Sequence, residues 1–258
     1  MIRLVATDLD GTLLRADGSF SERTLAALAR VQEAGIGVVF VSARSPRTVP
    51  LDAERAGVRG YAICANGAIT YDLAERRIVA HRPLRPETAT RVVTALREAA
   101  PGVAFGCELE LDFGHEPTYV RGEPAYPAQV LDALELARRP VTKLVAQHRT
   151  LPLAELLALA SGSVGGEAVV TVSGTQFVEV NAPGVTKAAA VEDLAERLEI
   201  ARDEVIAFGD NLNDIPLLAW AGRGVAVANA QPDVLAVADE VTLSNDEDGV
   251  AVVLESLG

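Results

Sequence analysis

The sequence is poor in the residues that crosslink a chain or tune it for redox work. It has two cysteines, Cys64 and Cys107, and their separation fits neither a zinc motif nor a redox pair. Each lies in an apolar stretch and reads as an ordinary buried thiol. So little cysteine points to a reducing, cytoplasmic setting. Nowhere do about 20 uninterrupted apolar residues occur, so no membrane span is expected. The apolar run before Asp8 is too short to read as a signal peptide. Basic residues form no block: 23 Lys and Arg face 36 Asp and Glu, for a formal net charge of -13. A nucleic-acid partner needs a basic surface against its phosphates, so none is expected. The acidity itself reads as solubility. Repeats and low-complexity tracts are also missing.

What is present is an ordinary globular composition, with 49% hydrophobic and 23% charged residues in 258 positions. That is enough for one large domain or two modest ones. The opening segment alternates strand and helix. An apolar run, Ile2 to Thr7, ends in acids. A helix follows from Ser21 as N-cap, with Leu25, Leu28 and Ala29 on one face, and Gly35 stops it. Ile36 to Val41 is nearly continuous and β-branched, as in a strand covered on both faces. A helix to about Ala56 and a strand at Tyr61–Cys64 complete the pattern, which predicts a parallel sheet with helices on both sides.

The pattern breaks at Arg82–Glu87, rich in Pro and charge, and returns after Pro183. Residues 1–82 and 183–258 therefore read as one core domain, with 83–182 as an inserted α+β module. Within the insert the expected elements are a helix at 87–99, strands around 103–113, and a helix near 127–138. A strand at 141–147, a helix at 152–160 and strands at 167–180 follow. After it come a helix from about Val185, a strand at Val205–Phe208, a helix at Ile215–Trp220, a strand at Gly224–Val227 and a last helix near 247–257. Gly184, Gly222 and Gly224 read as turn residues.

Open parallel sheets build their sites beyond the carboxyl ends of the strands. Here those ends carry one chemistry: Asp8-Leu9-Asp10-Gly11-Thr12, then Ser42-Ala43-Arg44, then Lys187 at a helix start, then Gly209-Asp210-Asn211-Leu212-Asn213-Asp214. Four carboxylates, Asp8, Asp10, Asp210 and Asp214, repel strongly unless neutralised. Mg²⁺, a hard cation with oxygen ligands, is the natural remedy. A carboxylate, a metal, a lysine and a hydroxyl describe phosphoryl transfer. Asp8 reads as nucleophile, and Asp10, two residues on and expected on the same side, as general acid and base. Gly11 allows the backbone close to a phosphate. Taken singly, each of these residues is more often a turn, a cap or a solvated side chain; the joint order at successive strand ends carries the argument.

At these residues the sequence resembles the haloacid dehalogenase superfamily. D-L-D-G-T-L at 8–13 is similar to its first motif, Ser42 falls at its second, Lys187 in G-V-T-K at its third, and G-D-N-L-N-D at 209–214 at its fourth. The insert between the second and third motifs, with Ile63-Cys64-Ala65-Asn66-Gly67-Ala68, resembles the Cof-like branch of sugar-phosphate phosphatases, subclass IIB. The resemblance implies a Rossmann-like, doubly wound core with an α/β cap that closes over the substrate. It implies Mg²⁺ held by the Asp8 carboxylate, the Asp10 carbonyl and Asp210, with Asp214 as a further ligand or just behind them. It also implies that Ser42 and Lys187 hold the phosphate, within a cradle drawn from Leu9, Gly11, Ser42, Ala43, Arg44, Asn66 and Lys187. The branch commonly has Thr-Gly-Arg where this chain has Ser42-Ala43-Arg44. Arg44 could meet substrate or pair with a core acid, and Asn66 could reach substrate or serve the turn before Gly67.

The expected activity is thus Mg²⁺-dependent hydrolysis of a small phosphomonoester, a sugar phosphate by resemblance. The alternatives are a phosphosugar mutase of the same fold and a non-catalytic phosphate-binding or regulatory protein. Specificity is expected from the insert, around 105–121 and 173–181. There Glu108, Glu110, Asp112 and Glu179 read as solvent-facing acids, with hydroxyl binding as the alternative. His115 and His148 read as surface groups, because the chemistry needs no imidazole.

Overall fold

The computed structural model describes residues 1–121, 126–174 and 176–257. The chain divides into two compact units, Met1–Ala80 with Thr186–Gly258, and His81–Val185.

The first unit is built on an eight-stranded sheet. Leu4–Thr7 lies at its middle, paired in parallel with Val205–Gly209 on one side and Gly37–Val41 on the other. The sheet extends in parallel through Arg223–Ala226 to Glu240–Val241 at one edge, and through Tyr61–Cys64 at the other. Leu4–Thr7 and Val205–Gly209 are buried along their length, and Gly37–Val41 is buried from Val38 on, as apolar strands covered on both faces must be. Phe40 and Phe208 are fully enclosed, and each such side chain contributes about 1.5–3 kcal/mol of apolar burial.

Two elements of this unit have no parallel-sheet signal. Ile69–Asp72 runs antiparallel to Tyr61–Cys64, in register from Tyr61 opposite Asp72 to Cys64 opposite Ile69. Arg77–His81 then closes that edge. A parallel neighbour needs a crossover helix, whereas the tight turn at Ala65–Gly67 folds the chain straight back.

Local chemistry sets the helices. Ser21 caps Glu22–Glu33, its hydroxyl accepting from the Thr24 amide at 2.9 Å. Gly35, at φ +82°, turns the chain out of that helix into Gly37–Val41. Thr186 caps Lys187–Arg197 in the same way, accepting from the Ala189 amide at 3.1 Å. The expected turn role of Gly224 is replaced by a packing role. It sits inside Arg223–Ala226, and a Cβ there would fall on the carbonyl of Leu218, so glycine lets helix Ile215–Trp220 approach the strand.

The second unit is a six-stranded sheet with helices Pro86–Ala99 and Leu153–Ser163 packed together. Ala104–Leu109 pairs antiparallel with Asp112–His115 and with Lys143–Gln147, and Val178–Asn181 joins the latter. The helix expected near 127–138 is instead a strand, Gln129–Val130, and a single helical turn, Ala133–Leu136. Asp132 decides this: its carboxylate accepts from the Leu134 amide at 2.8 Å, so the helix begins only after it. Glu108 and Glu179 are also corrections. Both are buried rather than solvent-facing, and Glu179 forms an enclosed ion pair with Lys143. Glu110 and Asp112 are exposed, as expected.

Candidate active site

The residues singled out from sequence come from four separated segments, and the first unit gathers them at the carboxyl ends of its strands. Asp8 follows directly on Leu4–Thr7 and is tied to the neighbouring strand by its amide, 3.1 Å from the carbonyl of Phe208. Lys187 opens its helix and is 1% exposed. Its ammonium donates to Asp8 Oδ1 at 2.7 Å and to Asp214 Oδ1 at 2.6 Å. Burial opposes that charge, but the carboxylates of Asp214 and Asp8 outweigh it and raise the lysine above its ordinary range.

Asp214 spends both of its oxygens. Oδ1 meets Lys187, and Oδ2 accepts the amides of Asp210 and Asn211 at 3.1 and 3.0 Å. It therefore shapes the turn that presents Asp210 and orients the lysine. Asp210 is held from the other side by Thr12, whose hydroxyl donates to Oδ1 at 2.6 Å. Gly11, at φ +78°, passes so close that a Cβ there would lie 2.6 Å from Asp210 Oδ2.

Asp8, Asp210 and Asp214 each offer one carboxylate oxygen, all within 4.8 Å of one another. That concentration of charge has a cost the structure displays. Burial, opposed by Lys187 and reinforced by Asp214 and Asp210, pushes the Asp8 carboxyl well above its usual range. Burial likewise raises Asp210, to about 6, against the pull of the Thr12 hydrogen bond. Carboxylates resisting ionisation in an all-oxygen cluster fit a hard divalent cation, which would reverse the penalty.

Asp10 does not join this cluster. The segment is not extended there. Leu9 carbonyl accepts from Leu13 and Leu14, so the chain turns, and the Asp10 side chain is 51% exposed and faces Arg44. Arg44 Nε donates to Asp10 Oδ2 at 2.6 Å, and Nη2 reaches the other oxygen. Its remaining arm, Nη1, lies 2.8 Å from Asp52, a buried acid in helix Val49–Arg55. Arg44 thus pairs with core acids in this structure. Ser42 is buried at the end of Gly37–Val41, its Oγ accepting from the Arg44 amide at 3.1 Å. Leu9 is fully enclosed, so only its backbone can face a ligand. Asn66 is buried, in a left-handed conformation, with Oδ1 accepting from Asn213 Nδ2 at 3.1 Å.

Sequence reasoning passed over four contributors. Thr12 and Asn213 lie inside the motifs at 8–13 and 209–214, where the acids, Gly11 and Leu9 carry the expectation. Asn229, which donates to the Gly11 carbonyl at 2.7 Å, and Asp52 carried no local signal.

Fold and site together define a class of enzyme, and the comparison with known families gives it a name. The sequence model for haloacid dehalogenase-like hydrolases matches residues 5–254, and the chain belongs to that family. It is similar to the phosphatase YwpJ of Bacillus subtilis, with 31% identity over 99% of this chain and all of that protein. It is also similar to the HMP-PP phosphatase of Cronobacter sakazakii, with 29% identity over 92% and 88% of the two chains. Among solved structures it resembles a haloacid dehalogenase-like hydrolase from Bacteroides thetaiotaomicron, at 27% identity with full coverage of both chains and a TM-score of 0.80. A sugar phosphatase of subclass IIB shares the fold at a TM-score of 0.85, with 99% of both chains covered and 21% identity. Among the described residues, no helix is long and apolar enough to cross a membrane.

Proposed function

We propose that the protein is a Mg²⁺-dependent phosphatase that passes the phosphoryl group of a small phosphorylated metabolite, a sugar phosphate in our reading, through Asp8. The observation that carries this is the buried triangle of Asp8, Lys187 and Asp214, with Asp210 beside it. Asp8 Oδ1 is held by the lysine, which leaves its other oxygen as the attacking atom. The Asp8 carboxylate attacks phosphorus and the P–O bond to the alcohol breaks, giving an aspartyl-phosphate. Asp10 protonates the departing oxygen, then takes a proton from the water that attacks the phosphoryl group and regenerates Asp8. For the first of these steps Asp10 turns from Arg44 to the leaving oxygen. Ser42 and Lys187 hold the phosphoryl oxygens, and the backbone at Gly11 allows them close, with Ala43 in the same cradle. Asp8, Asp210 and the Asp10 carbonyl would hold Mg²⁺, which supplies positive charge against the phosphate. Asp214, already engaged by Lys187 and two amides, supports from behind. The named activities of relatives, HMP-PP phosphatase and 5-amino-6-(5-phospho-D-ribitylamino)uracil phosphatase, support a small phosphorylated substrate. Selectivity among such substrates we assign to the His81–Val185 unit.

The test is phosphate release from a panel of sugar phosphates and other small phosphomonoesters, with Mg²⁺ or with EDTA. We expect Mg²⁺-dependent release, and at least a thousandfold loss in Asp8→Asn with an unchanged fold, since removing the nucleophile removes the covalent route (roughly 10³ or more in kcat). An Asp8→Asn protein of full activity would overturn the nucleophile assignment.

A further inference from the structure

We infer that Asn66 is a positioning residue for this chemistry: the turn Ala65-Asn66-Gly67 ties the Ser42 loop, the Lys187 helix and the Asp214 turn into one block. The inference rests on the phosphatase reading above and adds a residue that does not itself meet the substrate.

Three consecutive residues here have positive φ: Ala65 at 52°, Asn66 at 62° and Gly67 at 101°. Ala65 and Asn66 bear side chains, and a left-handed pair of this kind persists only where its surroundings impose it. The surroundings are the site itself. The Ala65 amide donates to the Arg44 carbonyl at 2.8 Å, and the Asn66 amide donates to the Ser42 carbonyl at 3.1 Å. These two bonds fix the loop from Ser42 to Arg44. Gly67 meets the residue before the lysine. A Cβ there would fall on the Thr186 carbonyl oxygen, and would lie 2.8 Å from its carbon and 3.1 Å from Ala190 Cβ. Only glycine lets the turn touch the start of the Lys187 helix.

The third attachment is a side chain. Asn66 Oδ1 accepts from Asn213 Nδ2 at 3.1 Å. Asn213 is buried, and its Oδ1 has no hydrogen-bond partner among the described residues. The bond to Asn66 is therefore what sets the orientation of this amide. Asn213 immediately precedes Asp214 in the helical turn Leu212–Asp214, whose carboxylate holds Lys187 and the amides presenting Asp210. One turn thus reaches every loop of the site except the one bearing the nucleophile, and reaches that one through Lys187.

The decisive variant is Asn66→Gly. Glycine takes a φ of 62° without cost, so the backbone turn survives while the bond to Asn213 is lost. We expect kcat to fall about tenfold with KM within about threefold, as for a group acting on the transition state through its neighbours. The melting temperature should stay within about 3 °C of wild type. The Mg²⁺ concentration giving half-maximal thermal stabilisation should rise severalfold, since the turn presenting Asp210 is loosened. Asn213→Ala should reproduce both effects, and the double variant should be no worse than the more impaired single one. Wild-type kcat and Mg²⁺ midpoint in both single variants would overturn the inference. So would losses that merely follow a matching fall in melting temperature. Because the Mg²⁺ midpoint needs no turnover, a wild-type protein releasing no phosphate would defeat the phosphatase reading while this arm still decided the role of Asn66.

Discussion

Asp210 is the residue at which protons and metal compete most openly. Its carboxyl is raised to about 6 by burial and by the neighbouring Asp214, against the hydrogen bond from Thr12. An acid whose folded pKa lies above its unfolded value of 3.8 favours the fold while it stays protonated. That contribution is complete at low pH and is lost as pH rises through about 6. A bound cation reverses the sign, because it binds the ionised form. The metal-free protein should therefore lose stability between about pH 4 and 7, and Mg²⁺ should restore it increasingly over the same window. Apparent Mg²⁺ affinity at pH 5 should be at least about tenfold weaker than at pH 7, because the proton on Asp210, of pKa about 6, must leave, and the carboxyl of Asp8, also raised by burial, must ionise as well. Melting curves with and without Mg²⁺ from pH 5 to 8 check both signs; a Mg²⁺ effect independent of pH would remove Asp210 from the proposed ligands. At this scale the sequence was informative wherever charge at a strand end was itself the signal, as for Asp8, Lys187 and Asp210. It could not reveal that Asp10 turns away to Arg44, or that Asp52 stands behind that arginine, because both depend on a turn and a helix face that bring distant residues together.

At the level of elements, the legible parts were those whose periodicity matched their environment. The buried strands Gly37–Val41 and Val205–Gly209 are apolar runs, and helix Glu22–Glu33 begins where Ser21 announces it; Lys187–Arg197 begins after Thr186, two residues past the expected Val185. The strand Gln129–Val130 and the hairpin through Ile69–Asp72 were not legible, since short edge pairings depend on their partners rather than on their own pattern. Two glycines show how packing, not propensity, decides a substitution. Gly224 sits where a Cβ would press on the backbone of Leu218, so Gly224→Ala should cost ~1–3 kcal/mol by overpacking. That corresponds to a fall of roughly 2–10 °C in melting temperature. Gly162, within helix Leu153–Ser163, has open space around the same position. Gly162→Ala should stabilise by ~0.5–1 kcal/mol through helix propensity alone. Denaturant titration of the two variants tests the opposite signs, and a neutral Gly224→Ala would show that helix Ile215–Trp220 can shift away from its strand.

For the whole molecule, the proposed division of labour rests on where the chain enters and leaves the His81–Val185 unit. The first unit holds the eight-stranded sheet, one continuous apolar core and every residue proposed to touch phosphate or metal. The second has its own sheet, its own buried residues and an enclosed Lys143–Glu179 pair, a costly arrangement for a unit that served only as filler. The sequence pattern breaks at Arg82–Glu87 and returns after Pro183, a composition shift that needs no knowledge of contacts, while the compact units divide at Ala80 and Thr186. Which side chains of the insert could meet a substrate was not readable, because the burial of acids such as Glu108 and Glu179 is set by strand register and not by their own pattern. If the chemistry resides in the first unit and selectivity in the second, the two should separate physically. Replacing residues 81–185 by a short Gly/Ser linker should leave a folded protein whose Mg²⁺-dependent stabilisation is close to that of the full chain. It should still release phosphate from a small aryl phosphate, while its preference among sugar phosphates, read as ratios of kcat/KM, collapses toward one. A shortened protein that keeps the full chain's ranking of substrates would place selectivity in the core loops instead, and Arg44, one-third exposed beside Asp10, would become the first residue to vary.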